Sequence, residues 1–247
     1  MPRHFFIAGA QRCATTYFYS LLEQHPDITM ARPLRPEPKY FIRPHISDDI
    51  GVYRSEFFAD AATSWLGEKS TSYIEFPLAA QRIARLLPDA GIFFLLRDPV
   101  ERAISNYNFS VMNGLETLPL EDALDIESSR ITCPTTGSKT SVSPFAYVAR
   151  GHYARYLEPW FARFPSRQIH LLTTEQLIAD PEGTMQRVLE PLGLQPMAAL
   201  KGTDRAINRA DPAGDAPLAM RERLAALFAG SNRELAKRHG VDIGGWR

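Results

Sequence analysis

The chain has 247 residues, 45 % of them hydrophobic and 23 % charged, which is enough to bury a sizeable core and suits one domain, residues 1–247. Lys plus Arg equals Asp plus Glu at 28 each, so no overall field draws it to nucleic acid or an anionic membrane, and any anion site must be local. Its two cysteines, Cys13 and Cys133, stand far apart without CxxC spacing, which argues against a disulfide framework and a zinc site and leaves a cytoplasmic, metal-free protein as the expectation.

The first apolar run, Phe5-Phe6-Ile7-Ala8-Gly9, is too short for a signal h-region or a membrane span, so it is expected to be a buried strand and no stable membrane insertion is expected. A loop follows, Gly9-Ala10-Gln11-Arg12-Cys13-Ala14-Thr15-Thr16, and then a helical pattern through Tyr17, Leu21 and Leu22 that stops at His25-Pro26. Further strands are expected weakly at 64–66 and clearly at 92–96 and 169–173. Helical periodicity separates them, the pattern of an α/β fold with a central parallel sheet flanked by helices.

After the third apolar run, Asp98 is placed as N-cap, Pro99 at the first helical position and Glu101 as the reciprocal capping residue. Residues 132–143, rich in Thr, Ser, Pro and Gly, read as a surface loop and a candidate lid, and 201–217 reads similarly. Residues 147–164 are helical in pattern, Asp180 caps a helix ending near Gly193, and Asp215 is placed as the cap of a last helix running toward Gly240.

A loop that leaves a strand and enters a helix offers backbone N–H groups and the positive end of the helix dipole to an anion. Here Gln11, Arg12, Cys13, Ala14, Thr15 and Thr16 form the candidate cradle, with Arg12 adding charge and the threonines hydroxyl donors. A Walker A loop would read GxxxxGK[ST], and the Gly and Lys are missing. A CxxxxxR phosphatase loop would need Arg where Tyr19 stands, so Cys13 reads as structural. A second candidate anion site is Arg97, at the end of the run 92–96, with Ser105 two turns into the following helix. Each segment alone is also compatible with a solvated arginine.

Together these segments resemble the sulfotransferases that use 3′-phosphoadenosine 5′-phosphosulfate (PAPS), most closely the sulfotransferase domain of the heparan sulfate N- and 3-O-sulfotransferases. The loop 5–16 is similar to that family's 5′-phosphosulfate loop, and Leu96-Arg97-Asp98-Pro99-Val100-Glu101-Arg102-Ala103-Ile104-Ser105-Asn106-Tyr107 to its 3′-phosphate motif. Glu68-Lys69-Ser70-Thr71-Ser72-Tyr73 resembles its EKSxxY segment, and Arg150-Gly151-His152-Tyr153 with Leu157 and Trp160 its RGxYxxxLxxW helix. The resemblance implies a P-loop-like three-layer fold, PAPS as co-substrate without a metal, and a small-molecule or glycan acceptor. It also implies Glu37 as base, Arg12 beside the transferring group, and Lys69 beside either that group or the acceptor. The nucleotide would be bound by residues 11–16, Arg97, Ser105 and Tyr153. The family's late Lys-Gly segment has two possible counterparts, Lys201-Gly202 and Arg209. The chain departs from the family in carrying Arg12 where Lys is usual and Ala14 where Gly is usual. Arg keeps the charge and can fork onto sulfonate oxygens, but it does not readily release a proton.

His25 reads as part of a helix terminator; His152 and Tyr153 read either as core or as the wall of a cleft; Tyr40, Phe41 and Tyr73 either as core or as a stacking surface for a ring. Two other readings remain at this point, a P-loop kinase and a nucleotide-binding module without turnover. The acceptor, O- against N-sulfonation and the oligomeric state are left open by the sequence.

Overall fold

Five short strands form one parallel sheet in the order β2-β3-β1-β4-β5: β1 Arg3–Gly9, β2 Ile28–Met30, β3 Trp65–Lys69, β4 Gly91–Leu96 and β5 Ile169–Thr173. The computed structural model describes residues 1–131, 143–197, 199–202 and 216–246; Cys133, Arg209, Asp215, nearly all of the expected lid 132–143 and most of 201–217 lie outside the described residues. In the central strands every residue from His4 to Gly9 and from Gly91 to Leu96 is buried. That is why these strands read as unbroken apolar runs rather than alternating ones, as sheets covered on both faces require. Phe5 packs edge-on to Phe93, and Phe94 packs edge-on to Trp160.

The helices are α1 Thr15–Leu22, α2 Ile50–Phe57, α3 Pro77–Leu86, α4 Pro99–Met112, α5 Leu120–Asp125, α6 Glu127–Arg130, α7 Tyr153–Phe161, α8 Thr174–Ala179, α9 Pro181–Leu192 and α10 Leu218–His239. The described residues divide into two compact units, one of 1–96 and 158–208 that holds the whole sheet, the other of 97–157 and 209–247. In the second unit α4, α5 and α10 share a core of Val100, Ala103, Ile104, Leu124, Tyr147, Leu224 and Phe228. Among the described residues no helix is long and apolar enough to cross a membrane.

The expected strands are all present, with the weak one at 64–66 extending to Lys69. Strand β2 was not anticipated: three residues held by pairing with β3 show no period of their own. The caps expected at Asp98 and Asp180 are seen, since Asp98 Oδ1 accepts from the N–H of Val100 at 2.9 Å and Asp180 Oδ1 from that of Gly183 at 2.9 Å, whereas Pro217, not Asp215, stands at the cap position of α10. The helix expected over 147–164 begins only at Tyr153, because residues Ala149–Gly151 form a 3₁₀ turn. There the chain passes so close to Phe228 that a β-carbon on Gly151 would lie 2.4 Å from its ring.

From β1 the chain moves to β2 on one side of the sheet, and from β4 it moves to β5 on the other. The point where direction reverses lies between β1 and β4, at whose carboxyl ends ligands of open α/β sheets bind.

Candidate functional site

The loop after β1 occupies one side of this reversal point. Pairing of β1 with β4 slips by one residue between Ile7 and Gly9, a bulge that bends the strand as it enters the loop. Gly9 is obligatory, as a β-carbon there would fall 2.8 Å from Ile74 Cβ. The N–H of Ala10 still reaches Leu95 O at 2.8 Å, and beyond it the backbone turns left-handed at Arg12 (φ 72°) and Ala14 (φ 55°). Turns of this kind line concavities with backbone N–H groups for anions.

Helix α1 then starts at Thr15 with no side-chain cap and no acid in its first turn, whereas α4 and α9 each open with an Asp cap followed by Glu. No carboxylate of its own first turn competes for the positive end of α1. Cys13 and Thr15 are buried while Gln11, Arg12, Ala14 and Thr16 are half-buried, and Cys13 Sγ lies 3.7 Å from Gln11 O. Cys13 therefore packs the loop from within.

The strand beside β1 carries the second cluster. The register sets Lys69 opposite Ile7, so the chain leaving β3 emerges at the same end of the sheet as the loop after β1, one strand spacing away. There the Lys69 ammonium pairs with Glu37 Oε1. The N–H of Thr71 donates to Glu37 Oε2 at 2.9 Å, and the Thr71 hydroxyl lies 3.1 Å from each carboxylate oxygen. The Lys69 side chain is 4 % exposed and that of Glu37 15 %, so this is a largely desolvated pair with only the carboxylate still reachable.

Glu68, the neighbour of Lys69, points to the opposite face of the strand and is fully buried. Its carboxylate accepts from the Tyr53 hydroxyl at 2.7 Å and the Ser70 hydroxyl at 2.6 Å, and Tyr73 bonds it as well. Burial raises the Glu68 pKa, and the hydrogen bonds from Ser70, Tyr73 and Tyr53 oppose that rise. Burial and then the Glu68 charge push the Tyr53 and Tyr73 hydroxyls well above their ordinary range, so both remain donors. Ser70 Oγ and Tyr73 OH in turn accept the N–H groups of Lys39 (2.9 Å) and Phe41 (3.1 Å). The segment bearing Glu37 is thus fastened to the segment bearing Lys69 and Thr71 from beneath. Tyr40, Phe41 and Tyr73 belong to the aromatic core here and are not a stacking surface, being at most 3 % exposed.

In the second unit Arg97, half-buried, follows β4 directly, and its carbonyl accepts from the buried Tyr153 hydroxyl at 2.9 Å. Arg97 Nη2 lies 3.7 Å from Glu101 Oε2, while the other Glu101 oxygen is paired with Arg221 Nη1. Glu101, expected as a capping residue, thus spends its carboxylate on two arginines. Ser105 is half-buried one helical turn further on. Arg102 is wholly buried and serves the fold, donating to Tyr147 O and to Asn106 Oδ1. His152 is packed against Phe228, and burial holds its imidazole below the ordinary histidine range.

The structure brings Glu37 and Lys69 together and sets the loop 11–16 at the same end of the sheet; Arg97, Ser105 and Tyr153 group within the second unit. Lys201 is tied elsewhere. Its N–H donates to Gln24 Oε1 at 2.8 Å, just past the end of α1 remote from Thr15. His25 is buried and bridges locally, its Nδ1 accepting the N–H of Asp27 at 3.1 Å and its Nε2 lying 3.0 Å from Gln195 O. Thr71 and Glu68 were not singled out from sequence; both lie in the Glu68–Tyr73 segment, where the hydroxyl three residues after the acid was the available signal.

Three comparisons bear on identity. The sulfotransferase domain family matches residues 2–203. Mouse heparan sulfate glucosamine 3-O-sulfotransferase 3B1 is 30 % identical over 190 residues, which cover 76 % of this chain and 45 % of the relative. Human bifunctional heparan sulfate N-deacetylase/N-sulfotransferase 2 is 28 % identical over 205 residues, 78 % of this chain and 22 % of the relative, so the chain spans less than half the length of either. A crystal structure of a sulfotransferase from Alicyclobacillus acidocaldarius superposes with a TM-score of 0.82 at 26 % identity, over 100 % of this chain and 99 % of that one. An uncapped loop at the start of α1, a buried Glu-Lys pair at the same sheet end and a family match over most of the chain lead to one conclusion: the chain belongs to the sulfotransferase family of enzymes.

Proposed function

We propose that this protein transfers a sulfonyl group from PAPS to a hydroxyl or amine of a carbohydrate or small-molecule acceptor. PAPS supplies the activated sulfonyl group, and its use leaves adenosine 3′,5′-bisphosphate. The residues present fit such a donor. The loop 11–16 offers a helix start without a carboxylate of its own, and Arg12, Thr15 and Thr16 add charge and hydroxyls for the 5′-phosphosulfate. Arg97 and Ser105 are assigned to the 3′-phosphate, with Tyr153 positioning Arg97 through its carbonyl.

The single observation that carries the reading is the Glu37, Lys69 and Thr71 constellation at the end of the strand adjoining the anion loop. Glu37 takes the proton from the acceptor as its oxygen or nitrogen attacks sulfur and the bond from sulfur to the 5′-phosphate oxygen breaks. Lys69 and Thr71 hold the carboxylate in one orientation. Arg12 balances charge gathering on the departing phosphate, a role for a fixed cation that needs no proton to be released. Lys201, tied past the end of α1 remote from the loop, is given no part in holding the nucleotide. A glycan acceptor is supported by the relatives named for action on heparan sulfate. Reading residues 1–247 as one domain rests on a family match that runs through segments of both units.

Consumption of ³⁵S-labelled PAPS with a panel of glycan and small hydroxyl acceptors tests this. Transfer should occur with the wild type and be abolished in Glu37→Gln while bisphosphate binding persists. If bisphosphate binds but no acceptor is ever labelled, the protein is a nucleotide-binding module and the proposal fails. Unchanged turnover in Glu37→Gln would remove Glu37 as base.

A further inference from the structure

We propose that Arg221, on α10, is a positioning residue that keeps Arg97 available to the 3′-phosphate by holding Glu101 away from it; this rests on the assignment of Arg97 to that phosphate. The geometry lies wholly within the second unit. Glu101 sits in the first turn of α4, four residues after Arg97, where a carboxylate and a guanidinium attract one another. An acid beside an arginine meant for phosphate is a competitor: with only those two groups present, the local charge is zero and the arginine is taken. Here Glu101 is shared. One oxygen is in close contact with Arg221 Nη1 and the other stands 3.7 Å from Arg97 Nη2, longer than a charge-assisted hydrogen bond.

Of the two guanidiniums at this carboxylate, Arg221 holds it closely and Arg97 only loosely. All three side chains are partly exposed, at 29 %, 33 % and 20 % for Arg97, Glu101 and Arg221, so the cluster is within reach of a ligand. Arg221 is fixed in turn by the packing of α10: Leu224 and Phe228, three and seven residues on, enter the same core as Val100 and Ala103 of α4. It also lies beyond residues 2–203, the segment the sulfotransferase family matches.

Calorimetric binding of adenosine 3′,5′-bisphosphate and adenosine 5′-monophosphate tests the proposal, since only the first carries a 3′-phosphate. Arg221→Ala should weaken the bisphosphate by about tenfold, the effect of an unshared carboxylate several ångströms from a phosphate near a protein surface, and leave the monophosphate unchanged. The double variant Glu101→Gln with Arg221→Ala should regain most of that loss. An unaltered bisphosphate affinity in Arg221→Ala, equal weakening of both nucleotides, or no recovery in the double variant would each overturn the proposal. Should Arg221→Ala fail to fold, Glu101→Gln alone decides: tighter bisphosphate binding is expected, and no tightening refutes it. Arg97→Ala separates the two layers of the argument. If it erases the preference for bisphosphate while Arg221→Ala leaves the bisphosphate affinity unaltered, only the role of Arg221 fails; if it leaves that preference intact, the assignment of the 3′-phosphate to Arg97 fails with it.

Discussion

Thr71 grips Glu37 twice, through its backbone N–H at 2.9 Å and through a hydroxyl 3.1 Å from each carboxylate oxygen. A carboxylate held by a backbone donor, a hydroxyl and an ammonium has little rotational freedom, and a base is effective only within hydrogen-bond reach of the proton it removes. Thr71→Val keeps the shape and the backbone bond but removes the hydroxyl. Turnover is expected to fall roughly tenfold, within the range that misplacing a catalytic group costs, with bisphosphate affinity unchanged. Steady-state kinetics beside a binding isotherm checks this, and equal loss in both would show that Thr71 acts on the nucleotide instead.

Ala14 stands with φ 55° and ψ 21° at the start of α1. A left-handed backbone costs a residue with a β-carbon roughly 1–2 kcal/mol, partly offset because glycine loses more freedom on folding. Ala14→Gly is therefore expected to stabilise the protein by about 0.5–1 kcal/mol, raising Tm by roughly 1–3 °C for a chain of this size. A scanning calorimetry trace with an unchanged or lower Tm would contradict that account of the loop.

Gly151 offers the opposite case. A methyl group there would meet Phe228 Cε1 at 2.4 Å and Pro99 Cβ at 3.0 Å. Gly151→Ala should cost about 1–3 kcal/mol through overpacking, seen as a lower denaturant midpoint. Gly230→Ala, where nothing lies within 4 Å of the added carbon, is the control expected to be neutral or mildly stabilising.

Stability should fall as the medium is acidified below neutrality. His4 is buried among Phe6, Tyr53 and Phe58, and its Nε2 accepts from Arg54 Nε at 3.0 Å, which requires an unprotonated nitrogen. Burial first, and the Arg54 charge second, lower its pKa from 6.5 to about 3. Between those values the unfolded chain binds the proton and the folded chain does not, so this contribution is complete above pH 6.5 and is lost as pH falls toward 3. His152 and His170 are lowered in the same direction. His4→Phe should reduce the stability difference between neutrality and mild acid by up to about 2 kcal/mol; denaturant titrations at the two pH values measure it, and an unchanged difference would remove His4 as the cause.

Segments whose chemistry is local were legible in the sequence. Asp98 followed by Pro99 announces a capped helix, and the buried strands β1 and β4 announce themselves as unbroken apolar runs. Contacts between distant residues were not. Glu37 stands 32 residues from Lys69 and Arg221 stands 120 from Glu101, and no spacing rule links either pair. Glu37 could be named only through resemblance to a known family, and Arg221 not at all. Ala14 gave no sign of its left-handed backbone, because alanine, unlike glycine, carries no expectation of positive φ. Glu68 belongs to a recognisable motif, yet its burial beneath the acid-bearing loop depends on Tyr53, a residue of a separate helix.

Strand β3 sets Glu68 and Lys69 back to back, one bound beneath the sheet end and the other to Glu37. Because side chains on a strand alternate strictly, the two residues are coupled by parity as much as by chemistry. Losing one residue inside β3 would trade their faces, sending a lysine under the aromatic core and an acid toward another acid. Substitutions at either position can be explored one at a time, but the length of this strand cannot drift by an odd step.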